Sequence, residues 1–164
     1  TLASHAELDG MARKSQQGRE IKMPFDGGPY VQAACFCDMV LEDKTGVVSL
    51  IRIIDTLTHT EVHAQAPEEM PQFSYNLTLV LMLKSGNARG RHTLRIVPEL
   101  PSGETEREFS VTAYFEGEEK GSNLIANLPI VFKLEGLYWF RVYLEADELT
   151  AIPFRVKYNR VVVG

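Results

Sequence analysis

The segment Phe73–Lys84 constrains the fold of this chain most strongly, because its side chains alternate between an apolar and a polar face. The apolar face would carry Phe73, Tyr75, Leu77, Leu79, Leu81 and Leu83, and the other would carry Ser74, Asn76, Thr78 and Lys84. A period of two is that of a β-strand with one face in a hydrophobic core. An amphipathic helix would repeat about every 3.6 residues, so the segment predicts a strand.

Similar patterns continue from Tyr30 almost to the C-terminus and predict β-structure throughout. The other predicted strands are Tyr30–Leu41, Val47–Asp55, Arg91–Val97, Glu108–Glu116, Leu128–Leu134, Leu137–Glu145 and Ala151–Tyr158. Turn-forming clusters such as Ser85-Gly86-Asn87 and Pro101-Ser102-Gly103 separate several of them. About eight strands at this spacing, with no convincing helix between them, predict an all-β, antiparallel sandwich.

Length and composition favour one globular domain with an N-terminal extension. The chain has 164 residues, of which 45% are hydrophobic and 24% charged, the profile of a folded rather than a disordered protein. We assign residues 30–164 to the sandwich domain. Residues 1–29 are polar and end in the breaker cluster Asp26-Gly27-Gly28-Pro29, and we expect this extension to dock on the domain or on a neighbouring molecule.

Charge, hydropathy and cysteine content narrow the functional classes. The net charge of −5 disfavours nucleic-acid binding, and no apolar run is long enough to cross a bilayer. Thr1–Gly10 lacks the basic start and apolar stretch of a signal peptide. Cys35 and Cys37 lie too close on one strand to bridge without distortion, so we expect free, structural thiols in a reducing cytoplasm.

Two stretches of the chain carry a family resemblance. The first runs from Cys37-Asp38-Met39-Val40-Leu41 through Gly46-Val47-Val48-Ser49-Leu50-Ile51 to Ile53-Ile54-Asp55. The second pairs Gly136-Leu137-Tyr138-Trp139-Phe140 with Pro153-Phe154-Arg155-Val156. Together they resemble the bacterial DUF6941 type of family. The resemblance implies an immunoglobulin-like sandwich and a bacterial, cytoplasmic setting, and it implies no activity and no site residues.

The segment Thr58–His63 holds the sharpest cluster of metal-ligand side chains. On a strand, His59, Glu61 and His63 would share one face, and two imidazoles with a carboxylate can form a metal site. The glutamate lies at the wrong offset for the helical zinc motif, and the segment runs into a proline-rich stretch. The segment is therefore predicted to be a solvated loop, with a metal site as the alternative.

Signatures of catalysis are weak in the rest of the sequence. The chain has neither a G-x-S-x-G nucleophile elbow nor a Gly-rich phosphate loop. A catalytic Cys35 or Cys37 would need an electropositive, partly open environment, whereas their neighbours are apolar. We therefore expect a protein that is not an enzyme and needs no cofactor.

Two strands have an outer face that suggests binding. In Leu137–Glu145 the core face would carry Tyr138, which is placed like the tyrosine of an immunoglobulin corner, and the other face would carry Trp139, Arg141 and Tyr143. Tryptophan, arginine and tyrosine are the residue types most enriched at binding hot spots.

The segment Val47–Ile54 is apolar on both faces. One face would carry Val47, Ile51 and Ile53, and the other Val48, Leu50 and Ile54, interrupted by Arg52. A strand of this kind predicts that the extension, a second subunit or a larger partner covers the sheet. We take Val48, Leu50 and Arg52 as candidate binding residues.

These features predict a non-catalytic interaction or adaptor module that acts through protein–protein contacts, including self-association. The alternative is a module that binds a small ligand or a carbohydrate, with the aromatic side chains of Leu137–Glu145 as a stacking platform. A carbohydrate site would show exposed aromatic rings flanked by polar side chains.

Overall fold

The computed structural model describes residues 26–164, which form nine β-strands and no helix. The strands are β1 Tyr30–Glu42, β2 Val48–Ile54, β3 Thr56–Val62, β4 Phe73–Gly86, β5 Gly90–Glu99, β6 Phe109–Phe115, β7 Glu118–Phe132, β8 Gly136–Leu144 and β9 Asp147–Val161. Over this range, accordingly, no helix is long and apolar enough to cross a membrane. Of the predicted N-terminal extension, residues 1–25 lie outside the described residues.

The strands form two sheets with the core between them. Sheet I has four strands in the order β2-β1-β4-β7, and sheet II has five in the order β3-β9-β8-β5-β6. Neighbouring strands are antiparallel, except that β3 runs parallel to β9. The prediction of an all-β sandwich is confirmed.

The prediction of a solvated loop at Thr58–His63 is wrong, because this segment forms most of β3. β3 pairs with β9 from Thr56 to Val62, and His63 follows directly after it. Only Asp55 separates β2 from β3, so the chain passes from sheet I to sheet II without a loop or a breaker. A parallel partner near the other end of the chain leaves no local signal, which explains why this strand is absent from the predicted set.

β7 is much longer than the predicted Leu128–Leu134. Its first half, Glu118-Glu119-Lys120-Gly121-Ser122-Asn123, is polar and gives no strand pattern by itself. The continuous strand β4 pairs with it residue by residue, for example Leu83 with Ser122 and Met82 with Asn123. Tertiary pairing thus overrides the weak intrinsic preference of this segment.

The alternating face of β4 forms the centre of the core, as predicted. Its large side chains are at most 1% exposed: Leu77, Leu79, Leu81 and Leu83. Aromatic rings from both sheets pack beside them. Phe36 of β1 lies edge-on to Phe140 and Phe154 of sheet II, with ring centroids 4.7 Å and 5.6 Å away. Aromatic pairs prefer this geometry to face-to-face contact.

Prolines within β5, β7 and β9 mark where lateral pairing stops. Pro98 lies beyond the last β5–β6 pair, Ile96 with Phe109. Pro153 precedes the start of β3–β9 pairing, and Pro129 lies on β7, an outer strand of sheet I. A proline offers no N–H to a neighbouring strand, so it is tolerated where one side of its own strand is unpaired. Each of these prolines therefore lies where one side of its strand has no paired strand beside it.

Candidate interaction surfaces

The β1–β2 hairpin separates from the rest of sheet I halfway along β1. β1 pairs with β4 only from Tyr30 to Cys37, whereas its pairing with β2 continues from Phe36 to Glu42. Residues 39–51 therefore form a two-stranded ribbon with no third strand paired beside it in the part of the chain that the structure describes. We call this ribbon the arm.

A dense set of hydrogen bonds orders the tip of the arm. The Asp43 carboxylate accepts the hydroxyl of Thr45 at 2.6 Å, the backbone N–H of Thr45 at 2.7 Å and that of Val47 at 3.1 Å. These donors, led by the Thr45 hydroxyl, lower the pKa of Asp43. Gly46 supplies the positive φ of 82° that the turn needs. The tip is thus a defined turn that presents the two strands in fixed register.

The outward face of the arm is apolar and exposed. Met39 lies directly opposite Ile51, and Leu41 and Val47 continue the same face towards the tip. Together with Ile53, just beyond the base, these side chains are between 40% and 62% exposed. Contiguous apolar surface of this kind marks interaction sites more often than single exposed residues do.

The candidate residues Val48, Leu50 and Arg52 lie on the other face of β2. The pairing of Ile54 with the core residue Phe36 fixes which face points inward. Alternation from Ile54 then places Val48 and Leu50 on the inward side, where they are half-buried. The sequence analysis took Val48 and Leu50 as binding residues, whereas the register selects Val47, Ile51 and Ile53 as the outward set.

Arg52 marks the base of the arm. Its φ of 51° lies in the left-handed region, which side chains other than glycine rarely adopt. Its guanidinium lies 3.1 Å from the carboxylate of Asp38, which also accepts a hydrogen bond of 3.5 Å from Tyr75 of β4. The Arg52 side chain is 75% exposed, so this ion pair contributes at most about 1 kcal/mol.

The structure places Trp139, Arg141 and Tyr143 on the outer face of sheet II, opposite the buried Tyr138 and Phe140. All three outer side chains are half-buried among neighbouring strands. Arg141 Nε lies 2.7 Å from a carboxylate oxygen of Glu99, and its Nη1 lies 3.0 Å from one of Glu148. These hydrogen bonds raise the pKa of Arg141.

Arg95 of β5 completes this outer face and was missed in the sequence. Its guanidinium lies 5.3 Å from the centre of the Tyr143 ring, and its Nη1 is 2.9 Å from a carboxylate oxygen of Glu108. The β5–β8 register, which pairs Arg95 with Tyr143, brings these residues together from distant parts of the sequence. The cations of this face are thus neutralised by carboxylates within the domain.

The three residues of the alternative metal site do come together, His59 and Glu61 on β3 and His63 directly after it. One oxygen of Glu61 lies 2.9 Å from His59 Nε2 and the other lies 3.3 Å from His63 Nε2. His59 also stacks on Phe73, with ring centroids 4.3 Å apart. Each carboxylate oxygen thus meets a different imidazole instead of a common centre. Among residues 26–164 no group of three or more His, Cys, Asp or Glu side chains is arranged to hold a metal ion.

Comparison with known proteins identifies the family. Residues 32–157 match the sequence profile described as "Family of unknown function (DUF6941)". This chain belongs to the DUF6941 family. The predicted family resemblance is therefore confirmed.

Other comparisons add little about this DUF6941 chain. No curated protein matches it. An immunoglobulin-like protein from Pseudomonas aeruginosa has a similar structure, with a TM-score of 0.39 and 12% sequence identity, over 80% of this chain and 98% of that chain. The family match, in contrast, includes the arm, the outer face of β8 and the β3 histidines.

The two thiols of the DUF6941 chain lie on the outward face of β1. Cys37 pairs with Thr78 and is 1% exposed, and Cys35 pairs with Val80 and is partly buried. Burial raises the pKa of both thiols, and for Cys37 the neighbouring Cys35 adds to the effect. Raised pKa values keep a thiol protonated and unreactive, which is the property of a structural cysteine.

Proposed function

We propose that this DUF6941 protein is a non-catalytic interaction module that binds a protein partner through the arm. One observation carries the proposal: the arm is apolar on its outward face, and it continues beyond the end of β1–β4 pairing. A two-stranded hairpin is marginally stable by itself in water. A partner that covers the arm would bury the apolar side chains that the rest of the described domain leaves exposed.

The free energy gained by burying the apolar face of the arm is large enough for specific binding. Full burial of an exposed Leu, Ile or Met side chain contributes about 1.5–3 kcal/mol. Met39, Leu41, Val47, Ile51 and Ile53 are each about half exposed, so covering all of them would contribute several kcal/mol before the costs of association are subtracted. The ordered tip keeps those costs low, because the hairpin need not fold on binding.

The proposal extends to the setting of the protein. We place it in the bacterial cytoplasm, as an adaptor without enzymatic activity, cofactor or nucleic-acid ligand. The protonated thiols fit a reducing compartment, and the net charge of −5 fits a protein partner better than a polyanion.

A charge-pair variant tests the role of the arm. The substitutions Met39→Glu and Ile51→Lys fall on cross-strand partners, so they remove the apolar surface and replace it with an ion pair that maintains the hairpin. Wild-type protein should retain a specific partner from native bacterial lysate, and M39E/I51K should not. Sedimentation of the bait should show whether the partner is a second copy of the chain.

The double variant Trp139→Ala, Tyr143→Ala is the matched control. It removes two aromatic side chains from the outer face of sheet II and leaves the arm intact. We expect it to retain the same partner as the wild type. If M39E/I51K retained the partner and W139A/Y143A did not, the proposal would be contradicted, and the β8 face would be the binding surface.

The second candidate function is the binding of a small ligand or a carbohydrate on that β8 face. Polar side chains flank the aromatic residues there, as such a site requires, since Arg141 lies between Glu99 and Glu148. Arg95, however, already occupies one face of the Tyr143 ring. A change in Trp139 fluorescence on titration with simple glycans would favour this candidate over the arm.

A further inference from the structure

A cleft of about 630 Å³ opens between the outer strands of the two sheets. β6 belongs to sheet II and β7 to sheet I, and they diverge from the short turn that connects them. The floor of the cleft is apolar and includes Phe109, Ile130 and the ring of Tyr138. Clefts of about 300–1,000 Å³ with this kind of lining are the usual size of small-molecule sites.

The segment that leads into β6 forms the rim of the cleft. Glu106 donates its backbone N–H to the carbonyl of Pro98 at 2.9 Å, which holds this segment against β5. The Glu106 carboxylate also lies 2.5 Å from the ammonium of Lys133, which follows β7. The ion pair thus connects the segment before β6 to the end of β7, and its hydrogen bond raises the pKa of Lys133.

Of the charged residues that line the cleft, Arg107 alone has no ion-pair partner among the described residues. Glu106 is paired with Lys133, and Glu108 is paired with Arg95 at 2.9 Å. Arg107 lies between these two carboxylates in the sequence and lines the cleft. Within residues 26–164 its guanidinium makes no hydrogen bond or ion pair. An apolar cleft with a single available guanidinium is complementary to an apolar molecule that carries an anion.

Pro129 argues against a peptide strand as the occupant. It lies in the cleft on β7, whose other side is already paired with β4. The free edge of β7 therefore lacks an N–H at this point, which weakens addition of a further strand. A small ligand held by its apolar body and one charged group does not need that N–H.

We propose that the β6–β7 cleft binds a small apolar molecule with one anionic head group, and that Arg107 pairs with the anion. The ligand body lies over Phe109 and Ile130, and the head group reaches the rim. An arginine binds a carboxylate or a phosphate through two parallel charge-assisted hydrogen bonds. This site is separate from the arm, so it stands independently of the proposed function.

Titration of the isotope-labelled full chain by NMR tests the proposal with three probes of the same apolar body. 2-Naphthoate carries a carboxylate, 2-naphthyl phosphate carries a phosphate, and 2-naphthalenemethanol is neutral. The two anions should shift the backbone signals of Phe109, Ser110 and Val131, and should bind at least about tenfold more tightly than the alcohol. The tighter of the two anions identifies the head group.

Substitution of Arg107 separates charge recognition from simple apolar contact. Arg107→Gln should weaken binding of the better anion about tenfold, and Arg107→Lys should restore part of that loss. Arg91→Gln is the matched control, because Arg91 is an exposed arginine that pairs with Tyr114 near the opposite end of β6. It should bind the anion like the wild type.

Three results would overturn the inference. One is the absence of any shift at millimolar probe, and another is equal binding of the acid and the alcohol. The third is an affinity for the anion that Arg107→Gln leaves unchanged. That result includes the case in which the NMR shifts map to Met39 and Ile51 of the arm instead of the cleft.

Discussion

The hydroxyl of Tyr138 donates a hydrogen bond of 3.0 Å to the backbone carbonyl of Leu134 and accepts the N–H of the same residue at 3.0 Å. It also accepts the N–H of Lys133 at 3.2 Å. These bonds hold the turn between β7 and β8, where the chain passes from sheet I to sheet II. The tyrosine corner predicted from the sequence is thus present, and one side chain satisfies several backbone groups at once.

Tyr138→Phe should therefore destabilise the domain. The ring remains in place, but the corner loses its hydrogen bonds to the backbone of Lys133 and Leu134, and each such bond contributes about 0.5–1.5 kcal/mol. Urea unfolding should show a decrease of this size in the free energy of unfolding. Tyr114→Phe is the control, because Tyr114 is 63% exposed, and it should leave the midpoint almost unchanged. Equal midpoints for the two variants would contradict the structural role of the corner.

Substitutions in the core and in the arm should separate stability from binding. Leu79 is 1% exposed and central to β4, so Leu79→Ala should cost about 2–5 kcal/mol through lost contacts and a cavity. M39E/I51K should cost less than about 1 kcal/mol, since both side chains are exposed and the new charges attract each other. Thermal unfolding measures both. A large loss in M39E/I51K would show that the arm is part of the folding core.

The sequence was informative where hydrophobic patterning is local. The alternation of Phe73–Lys84 predicts the strand and the face that carries Leu77, Leu79, Leu81 and Leu83, because side chains alternate with a period of two in a strand. The burial of Thr78 and Val80 on the opposite face is not predicted by that alternation. The Tyr138 corner and the opposite placement of Trp139 follow from the same reasoning on β8.

Features that depend on distant partners could not be predicted in this way. β3 exists because β9 lies beside it, and the polar half of β7 is a strand because β4 pairs with it. The inward placement of Val48 and Leu50 depends on the register of Ile54 with Phe36. A shift of one residue would exchange the two faces of β2, and nothing local in its sequence selects between them.

The thiols of Cys35 and Cys37 should react slowly in the folded protein. Burial raises the pKa of both, so the thiolate fraction is small at neutral pH. The rate of iodoacetamide modification, followed by mass spectrometry, should therefore rise at a higher pH in native protein than in urea. The same profile in both conditions would contradict the raised pKa values.

Those pKa values also give stability a pH dependence with a definite sign. The folded thiols hold their protons to higher pH than the unfolded ones, so the unfolded state releases protons first as the pH rises. The contribution of the thiols to stability should be constant below the unfolded cysteine pKa, near 8.5, and should fall as the pH rises above it. In the double variant Cys35→Ala, Cys37→Ala, the decrease in stability that the thiols cause above this pH should be absent.

The tip of the arm should respond to acid. Hydrogen bonds from Thr45 and Val47 hold the pKa of Asp43 below its ordinary value, so its contribution is present at neutral pH and is lost as the pH falls through the folded pKa. The backbone N–H of Thr45, followed by NMR, should titrate below pH 3.9, the usual aspartate value. An unfolded peptide of residues 42–47 should titrate near that value, and an equal midpoint in the folded chain would contradict the structure of the tip.

His59 and His63 should differ in their effect on stability, although both contact Glu61. His59 stacks on Phe73 at 4.3 Å and is 22% exposed, so His59→Ala removes a ring contact together with a hydrogen bond and should cost about 1–2 kcal/mol. The His63 side chain is 49% exposed, and His63→Ala should cost less than about 0.5 kcal/mol. If the cluster held a metal instead, both variants would lose similar amounts, and zinc would raise the unfolding temperature of the wild type alone. Unfolding with and without zinc, beside elemental analysis of native protein, distinguishes the two cases, and we expect unequal losses with no effect of zinc.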